Sequence, residues 1–157
     1  MSLLLSSLKT PVGTLNLLAN EQILVAANFS SVSQLSGAEE GKTVKRIPII
    51  SDLISDYFDG DLTALNGIQV HQEGATFSQA AWKAMRKVKA GKTISYADLA
   101  DRAGSPAAVR AAGSACAKNG IVLVIPCHRI VKTGGALGNY AYGLNKKEWL
   151  LRHEGAL

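Results

Sequence analysis

The stretch Ile121-Val122-Leu123-Val124-Ile125-Pro126-Cys127-His128-Arg129 constrains this chain more than any other. Five consecutive apolar residues, four of them β-branched, predict a short strand buried on both faces. Pro126 cannot donate to a ladder, so the strand ends there or becomes an edge. A thiol at the lip of a buried strand is held rigidly, with a base-type side chain next in sequence, and that arrangement can present a nucleophile. The alternative is a structural cysteine beside a surface histidine, because free cysteine is among the most buried residue types. The rest of the chain has to decide between the two.

A chain of 157 residues, 47% of them hydrophobic, can bury a core in one domain or two small ones. No run of eighteen apolar residues is present, so no membrane span is expected. The start, Met1 to Leu8, lacks the basic segment of a signal peptide. The two cysteines, Cys116 and Cys127, do not make a disulfide framework, and a reducing, intracellular compartment is the expectation. Charge is uneven: residues 1–74 carry four Lys/Arg against eight Asp/Glu, and residues 75–157 carry thirteen against four. A basic second half points to a polyanionic partner, although a solvated basic surface without a ligand would look the same.

Residues 3–29 read as antiparallel strands, broken by turns at Thr10-Pro11-Val12-Gly13 and Asn20-Glu21. Residues 30–46 read as a loop with room for a short helix, and residues 47–50 as a short strand. A helix is predicted over 51–59, capped by Ser51, with Leu53, Ile54, Tyr57 and Phe58 on one face and Gly60 as its stop. A linker is expected around Gln72-Glu73-Gly74, dividing the chain into domains 1–72 and 73–157.

The second half is predicted mostly helical. Thr76-x-x-Gln79 and Ser95-x-x-Asp98 resemble capping boxes. Ser105 and Pro106 predict a helix start, with the helix running to about Lys118 and Asn119-Gly120 as its stop. Two helices joined by a short glycine turn form the helix-turn-helix pattern. The second of them is rich in Ala, Gly and Ser, and Arg110 is the one long polar side chain in its body. Such a helix reads little sequence, since base readout needs several long polar side chains. It suits either close approach to a minor groove or tight packing against another helix. Asn145-x-x-Glu148 is expected to cap a last helix, with Trp149, Leu150 and Leu151 on its apolar side.

A cysteine attacks as thiolate and needs help to become one. His128 is the adjacent base, but neighbouring side chains on extended backbone diverge, so a bend after Pro126 or a bridging water is expected. A carboxylate that orients the imidazole would complete the relay. Glu154, Glu148 and Asp98 remain open for that role on spacing alone.

Pro126-Cys127-His128-Arg129, preceded by Asn119 and followed by Gly138-Asn139-Tyr140 and the run from Lys147 to Gly155, strongly resembles the O6-alkylguanine-DNA alkyltransferases. The resemblance is close over about residues 76–157 and loose over 1–60. It implies a small ribonuclease-H-like α/β domain followed by a helical, winged-helix-like DNA-binding domain. It also implies irreversible, single-turnover alkyl transfer from O6-alkylguanine, with O4-alkylthymine as a further candidate donor, to Cys127 after the damaged base is flipped out. In that scheme His128 acts as base through a water, Glu154 orients it, Tyr96 serves the leaving guanine, and Asn119 stiffens the turn before the nucleophile. Arg110 would fill the gap left in the duplex, with Ser78, Ser95, Ala108, Gly113 and Thr133 at the DNA. Ile130, Tyr140, Ala141 and Tyr142 would surround the base. The implied partner is double-stranded DNA, bound through its minor groove without sequence specificity by a monomer. The implied location is cytoplasmic, or nuclear in a eukaryote. No cofactor is implied, because the damaged base is itself the alkyl donor.

Two positions depart from the family pattern. Some members bind zinc in the first domain, but residues 1–75 offer only His71 as a nitrogen or sulfur ligand, and no metal is expected. Tyr142 stands where the family commonly has glycine, which changes the expected shape of the alkyl pocket. Other classes remain on the sequence. A non-enzymatic lesion binder would not need Cys127. A cysteine hydrolase would leave Tyr96 and the DNA-binding helix unexplained. A metal site from Cys116, Cys127, His128 and His153 has no recognised spacing.

Overall fold

The computed structural model describes residues 2–157, which form two compact units. The first holds residues 2–72 together with Gly120–Val124, and the second holds Glu73–Asn119 and Ile125–Leu157. Residues 120–124, assigned to the second domain from sequence, thus belong to the first unit.

The first unit is built on strands β1 (Leu3–Thr10), β2 (Gly13–Asn20) and β3 (Ile23–Asn28), an antiparallel meander joined by two tight turns. Thr10 fixes the first turn: its hydroxyl donates to the Gly13 carbonyl at 2.6 Å and accepts from the Val12 N–H at 3.2 Å. Two short strands, β4 (Gly41–Thr43) and β5 (Gln69–Val70), pair parallel to β1 and β3 and complete a sheet of order β4-β1-β2-β3-β5. As the middle strand, β2 is covered on both faces, and Leu15, Leu17, Leu18 and Ala19 are fully buried. Helix α1 (Ile50–Phe58) adds Ile50, Ile54 and Tyr57 to the core. Each such side chain contributes about 1.5–3 kcal/mol relative to exposure.

The second unit contains α2 (Thr76–Arg86), β6 (Ile94–Ser95), α3 (Tyr96–Arg102), α4 (Val109–Ala117), a 3₁₀ turn at Cys127–Arg129, β7 (Ile130–Val131) and α5 (Leu144–His153). The Trp82 indole N–H donates to the Ala115 carbonyl at 2.9 Å and ties α2 to α4. Ser95 caps α3 as its sequence predicts, its hydroxyl accepting from the Asp98 N–H at 3.0 Å.

The structure departs from the sequence reading at several points. Residues 121–125 are buried but do not form a strand. Ile121 makes a single parallel bridge to Ala27, and the chain then turns, with Leu123 left-handed at φ 73°. The Val124 and Cys127 N–H groups bond to carbonyls only two residues back, so the backbone satisfies itself locally. An apolar run reports burial, and here the chain is buried without being extended. Residues 47–50 are not a strand either. Pro48 removes a ladder donor, Ile50 already begins α1, and the edge of the sheet is taken by β4. Ser51 does not cap α1; its hydroxyl accepts from the Ile47 N–H. Residues 105–108 close a separate turn, Ala108 N–H to Ser105 carbonyl, so α4 begins at Val109 rather than at Pro106. The caps of α2 and α5 are Ala75 and Gly143, neither with a side-chain bond, so Thr76 and Asn145 lie inside or beside their helices instead of capping them.

Candidate active site

Local chain geometry brings the chemistry together in the second unit. Strands β6 and β7 pair in parallel, Ile94 with Ile130 and Ser95 with Val131. Tyr96 leaves the end of β6, and the Cys127–Arg129 turn leads directly into β7. The tight turn after Pro126 supplies the expected bend. Cys127 is 8% exposed and lies at the wall of a cavity of about 570 Å³, while His128 is fully buried behind it.

The cavity is lined by Tyr96 from the start of α3, Cys127, Asn139, Tyr140 and Ala141, and by one side of α4. Arg110, Gly113, Ser114 and Ala117 recur on α4 at helical spacing and form that side, with Cys116 beside them. Ser114, Cys116, Ala117 and Asn139 were not singled out for the site from sequence, although Ser114 and Ala117 stand at i+4 and i+7 from Arg110 on α4. Other expected site residues lie off the lining. Ser78 sits in the first turn of α2, Ala108 precedes α4, and Thr133 is exposed in a turn. Ser95 spends its hydroxyl on the α3 cap. Ile130 is buried in β7. Tyr142 is half-buried and meets the Tyr140 ring edge-on, with centroids 5.7 Å apart.

Asn119 connects the end of α4 to the nucleophile. Its side-chain amide donates to the Ile125 carbonyl at 2.8 Å and to Cys127 Sγ at 3.3 Å. Behind the thiol, His128 Nε2 lies 2.8 Å from Glu154 Oε2. Of the three carboxylates left open by spacing, Glu154 is therefore the one at the imidazole. With Nε2–H committed to a carboxylate, Nδ1 is the nitrogen left as acceptor, and it has no hydrogen-bond partner within the described residues. Arg129 completes the cluster: Nε donates to Glu154 Oε1 at 2.8 Å, Nη2 to Oε2 at 3.0 Å, and Nη1 to the Val88 carbonyl at 2.7 Å.

Burial sets the resting charges. It pushes the Cys127 thiol up, against the Asn119 hydrogen bond that favours thiolate. It pushes Cys116 up to about 12 and raises Tyr96. Burial also pulls His128 down, with Glu154 opposing. For Glu154 burial works upward, but the bonds from His128 and Arg129 outweigh it and hold the carboxyl well below the usual range. The resting site is a neutral thiol, a neutral imidazole and an ionised carboxylate. A neutral thiol is a weak nucleophile and must lose its proton during attack, and the imidazole next in the chain is the base available.

Sequence reasoning assigned no role to Arg129 or Lys147, both buried. For Lys147 a signal existed: Lys147, Leu150, Leu151 and Glu154 share one face of α5 at helical spacing. No group of three or more His, Cys, Asp and Glu side chains able to hold a metal occurs among the described residues.

The chain is similar to known proteins in sequence and in fold. Residues 76–156 match the model of the 6-O-methylguanine DNA methyltransferase DNA-binding domain. A methylated-DNA–protein-cysteine methyltransferase from Shigella flexneri is 34% identical over 170 aligned positions, covering 100% of this chain and 98% of that one. The one from Salmonella typhimurium is 42% identical over 108 residues, 69% of this chain and 63% of its own length. The crystal structure of Mycobacterium tuberculosis OGT in complex with DNA superposes with a TM-score of 0.87 at 29% identity, covering 97% of this chain and 92% of that one. The chain belongs to the 6-O-methylguanine DNA methyltransferase family. Its mixed α/β architecture, a sheet followed by a helical part, is that of its structural neighbours.

Proposed function

We propose that this protein repairs O6-alkylguanine in DNA by moving the alkyl group onto Cys127, once per molecule. The observation that carries the reading is that Cys127 Sγ accepts a hydrogen bond from Asn119 at the wall of a base-sized cavity, with the His128–Glu154 pair directly behind it. Relatives named as methylated-DNA–protein-cysteine methyltransferases, and one neighbour crystallised with DNA, support it.

In this reaction the damaged nucleotide leaves the duplex, at a cost of a few kcal/mol in stacking and pairing, and enters the cavity. His128 Nδ1 takes the thiol proton through a bridging water, and Glu154 stabilises the imidazolium that forms. The Sγ lone pair attacks the alkyl carbon, and the C–O6 pair withdraws into the guanine. Tyr96 donates its proton to the departing base, which leaves neutral, and the proton taken up by His128 is released to solvent, from which the tyrosine regains one. The product is a thioether at Cys127 and an unmodified guanine. No residue of the site can cleave a thioether, so one molecule acts once.

Arg110, exposed on the cavity side of α4, fills the space left in the base stack, and the small residues of α4 let the helix approach a minor groove without reading sequence. Ser78, Ser95, Ala108, Gly113 and Thr133 contact the DNA, and Ile130, Tyr140, Ala141 and Tyr142 surround the base. The two units correspond to a ribonuclease-H-like domain and a winged-helix-like DNA-binding domain, and the protein acts as a cytoplasmic monomer.

Intact mass after incubation with duplex DNA carrying O6-methylguanine tests the reading. A single added methylene on the peptide containing Cys127, absent in Cys127→Ala, is expected. Turnover beyond one equivalent, or binding without a mass change, would overturn it.

A further inference from the structure

Lys147 is fully buried, and the reaction proposed above gives it no task. From α5 its ammonium donates to the Ile130 carbonyl at 2.6 Å and to the Asn139 carbonyl at 3.1 Å. Ile130 is the first residue after the Cys127–Arg129 turn, and Asn139 belongs to the cavity wall. One cation thus ties the segment that carries the nucleophile to the loop that receives the base.

Lys147 forms no ion pair with a carboxylate among the described residues. Removing an ammonium from water without such a partner costs several kcal/mol. The ionisable groups that act on it are the thiols of Cys127 in the turn and of Cys116 on α4, and it acts in turn on His128. A cation whose ionisable influences are two thiols is compensated when one of them ionises.

We propose that Lys147 is a positioning residue that joins the nucleophile's turn to the base-binding loop and supplies the positive charge that favours the Cys127 thiolate as it forms. The proposal rests on Cys127 being the alkyl acceptor. Burial pulls the lysine's own pKa down while the thiols pull it up, which fits a mutual coupling. Besides Lys147, the Asn119 hydrogen bond to Sγ favours the thiolate, and the Cys127 charge in turn acts on Cys116, Tyr96 and Tyr142.

The test compares Lys147→Gln, which keeps N–H donors without the charge, with Lys147→Met and Lys147→Arg. Iodoacetamide labelling of the Cys127 peptide is followed by mass from about pH 6 to pH 10, alongside transfer from free O6-benzylguanine. Removing the cation raises the thiol's pKa, so in Gln and Met the inflection should move up by about one pH unit. The labelling rate at neutral pH should fall roughly tenfold. Arg should stay near the parent, and affinity for undamaged duplex should not change. An inflection in Lys147→Gln at the parent's pH overturns the proposal even if the rate falls, as does a shift in Arg as large as that in Gln. Labelling reads the thiol itself, so a shifted profile in a protein that accepts no alkyl group would sustain the charge coupling while refuting the repair function.

Discussion

Arg129 grips Glu154 with two hydrogen bonds, Nε to Oε1 at 2.8 Å and Nη2 to Oε2 at 3.0 Å, so the carboxylate that orients His128 is itself held in place. A single glutamate therefore serves two buried partners at once. Its ionisation, the orientation of the imidazole and the satisfaction of a buried guanidinium stand or fall together.

Acid should undo this cluster in a definite order. The folded pKa of His128 lies below its unfolded value of about 6.5, so below that pH the unfolded chain binds a proton that the folded chain refuses. The folded pKa of Glu154 lies well below its unfolded value of about 4.3, so its contribution is complete above that pH and is lost as pH falls toward the folded value. Both effects make stability decline on the acid side. Glu154→Gln should cost about 3–5 kcal/mol at neutral pH, because Arg129 stays buried without its partner. It should also flatten the decline below about pH 4.3. Urea midpoints measured at several pH values check both, and a variant as stable as the parent would contradict the cluster's role.

Gly138 should resist any side chain. Its φ is 77°, and a Cβ there would lie 2.9 Å from the Tyr96 hydroxyl oxygen and 3.1 Å from Cε2. Both the backbone and the neighbouring ring oppose substitution. Gly138→Ala should displace the tyrosine and slow alkyl transfer by roughly tenfold, about 1.4 kcal/mol in barrier, with little loss in duplex affinity. Single-turnover rates beside a binding titration separate the two.

Arg110→Ala should slow repair of duplex DNA far more than transfer from the free base, as the role in extrusion proposed above for the guanidinium requires. Each phosphate contact carries a salt slope of about −0.9, so the slope of binding against salt reports whether Arg110 also holds the backbone. Equal losses on both substrates would place Arg110 in the chemistry or the fold.

Tyr142 is the position to vary for alkyl size. Its ring packs edge-on against Tyr140, a lining residue, and the Cys127 charge is among the influences on its hydroxyl. Tyr142→Gly should raise the rate on O6-benzylguanine selectively, with O6-methylguanine nearly unchanged. An unaltered ratio between the two substrates would remove Tyr142 from the pocket.

What the sequence made legible follows from which residues report their own environment. The turns at Thr10-Pro11-Val12-Gly13 and Asn20-Glu21, the Ser95 cap and the glycine stops are local chemistry, and they occur where the letters place them. The Cys127 neighbourhood was legible as motif, and the structure adds the pairing of His128 with Glu154. Residues 121–125 were misread because β-branching and burial do not specify extension, and the left-handed Leu123 leaves no trace in composition. The start of α4 was misread because Ser105-Pro106 closes a turn as readily as it opens a helix. Arg129 and Lys147 were passed over because charged side chains are ordinarily at the surface. Only partners distant in sequence, Glu154 and Val88 for one, Asn139 and Ile130 for the other, make their burial affordable.

Gly120–Val124 completes the first unit from far along the chain, with the Ala27 N–H bonded to the Gly120 carbonyl and the Val122 N–H to the Ala27 carbonyl. During synthesis the sheet is therefore unfinished until α2, α3 and α4 have already been made. A fragment ending at residue 72 lacks a piece of its own core, and one beginning at residue 73 carries an apolar stretch with no sheet to receive it. The segment that leads into Cys127 is thus also the last part the sheet acquires, so the sheet closes only once synthesis has reached the residues just before the nucleophile.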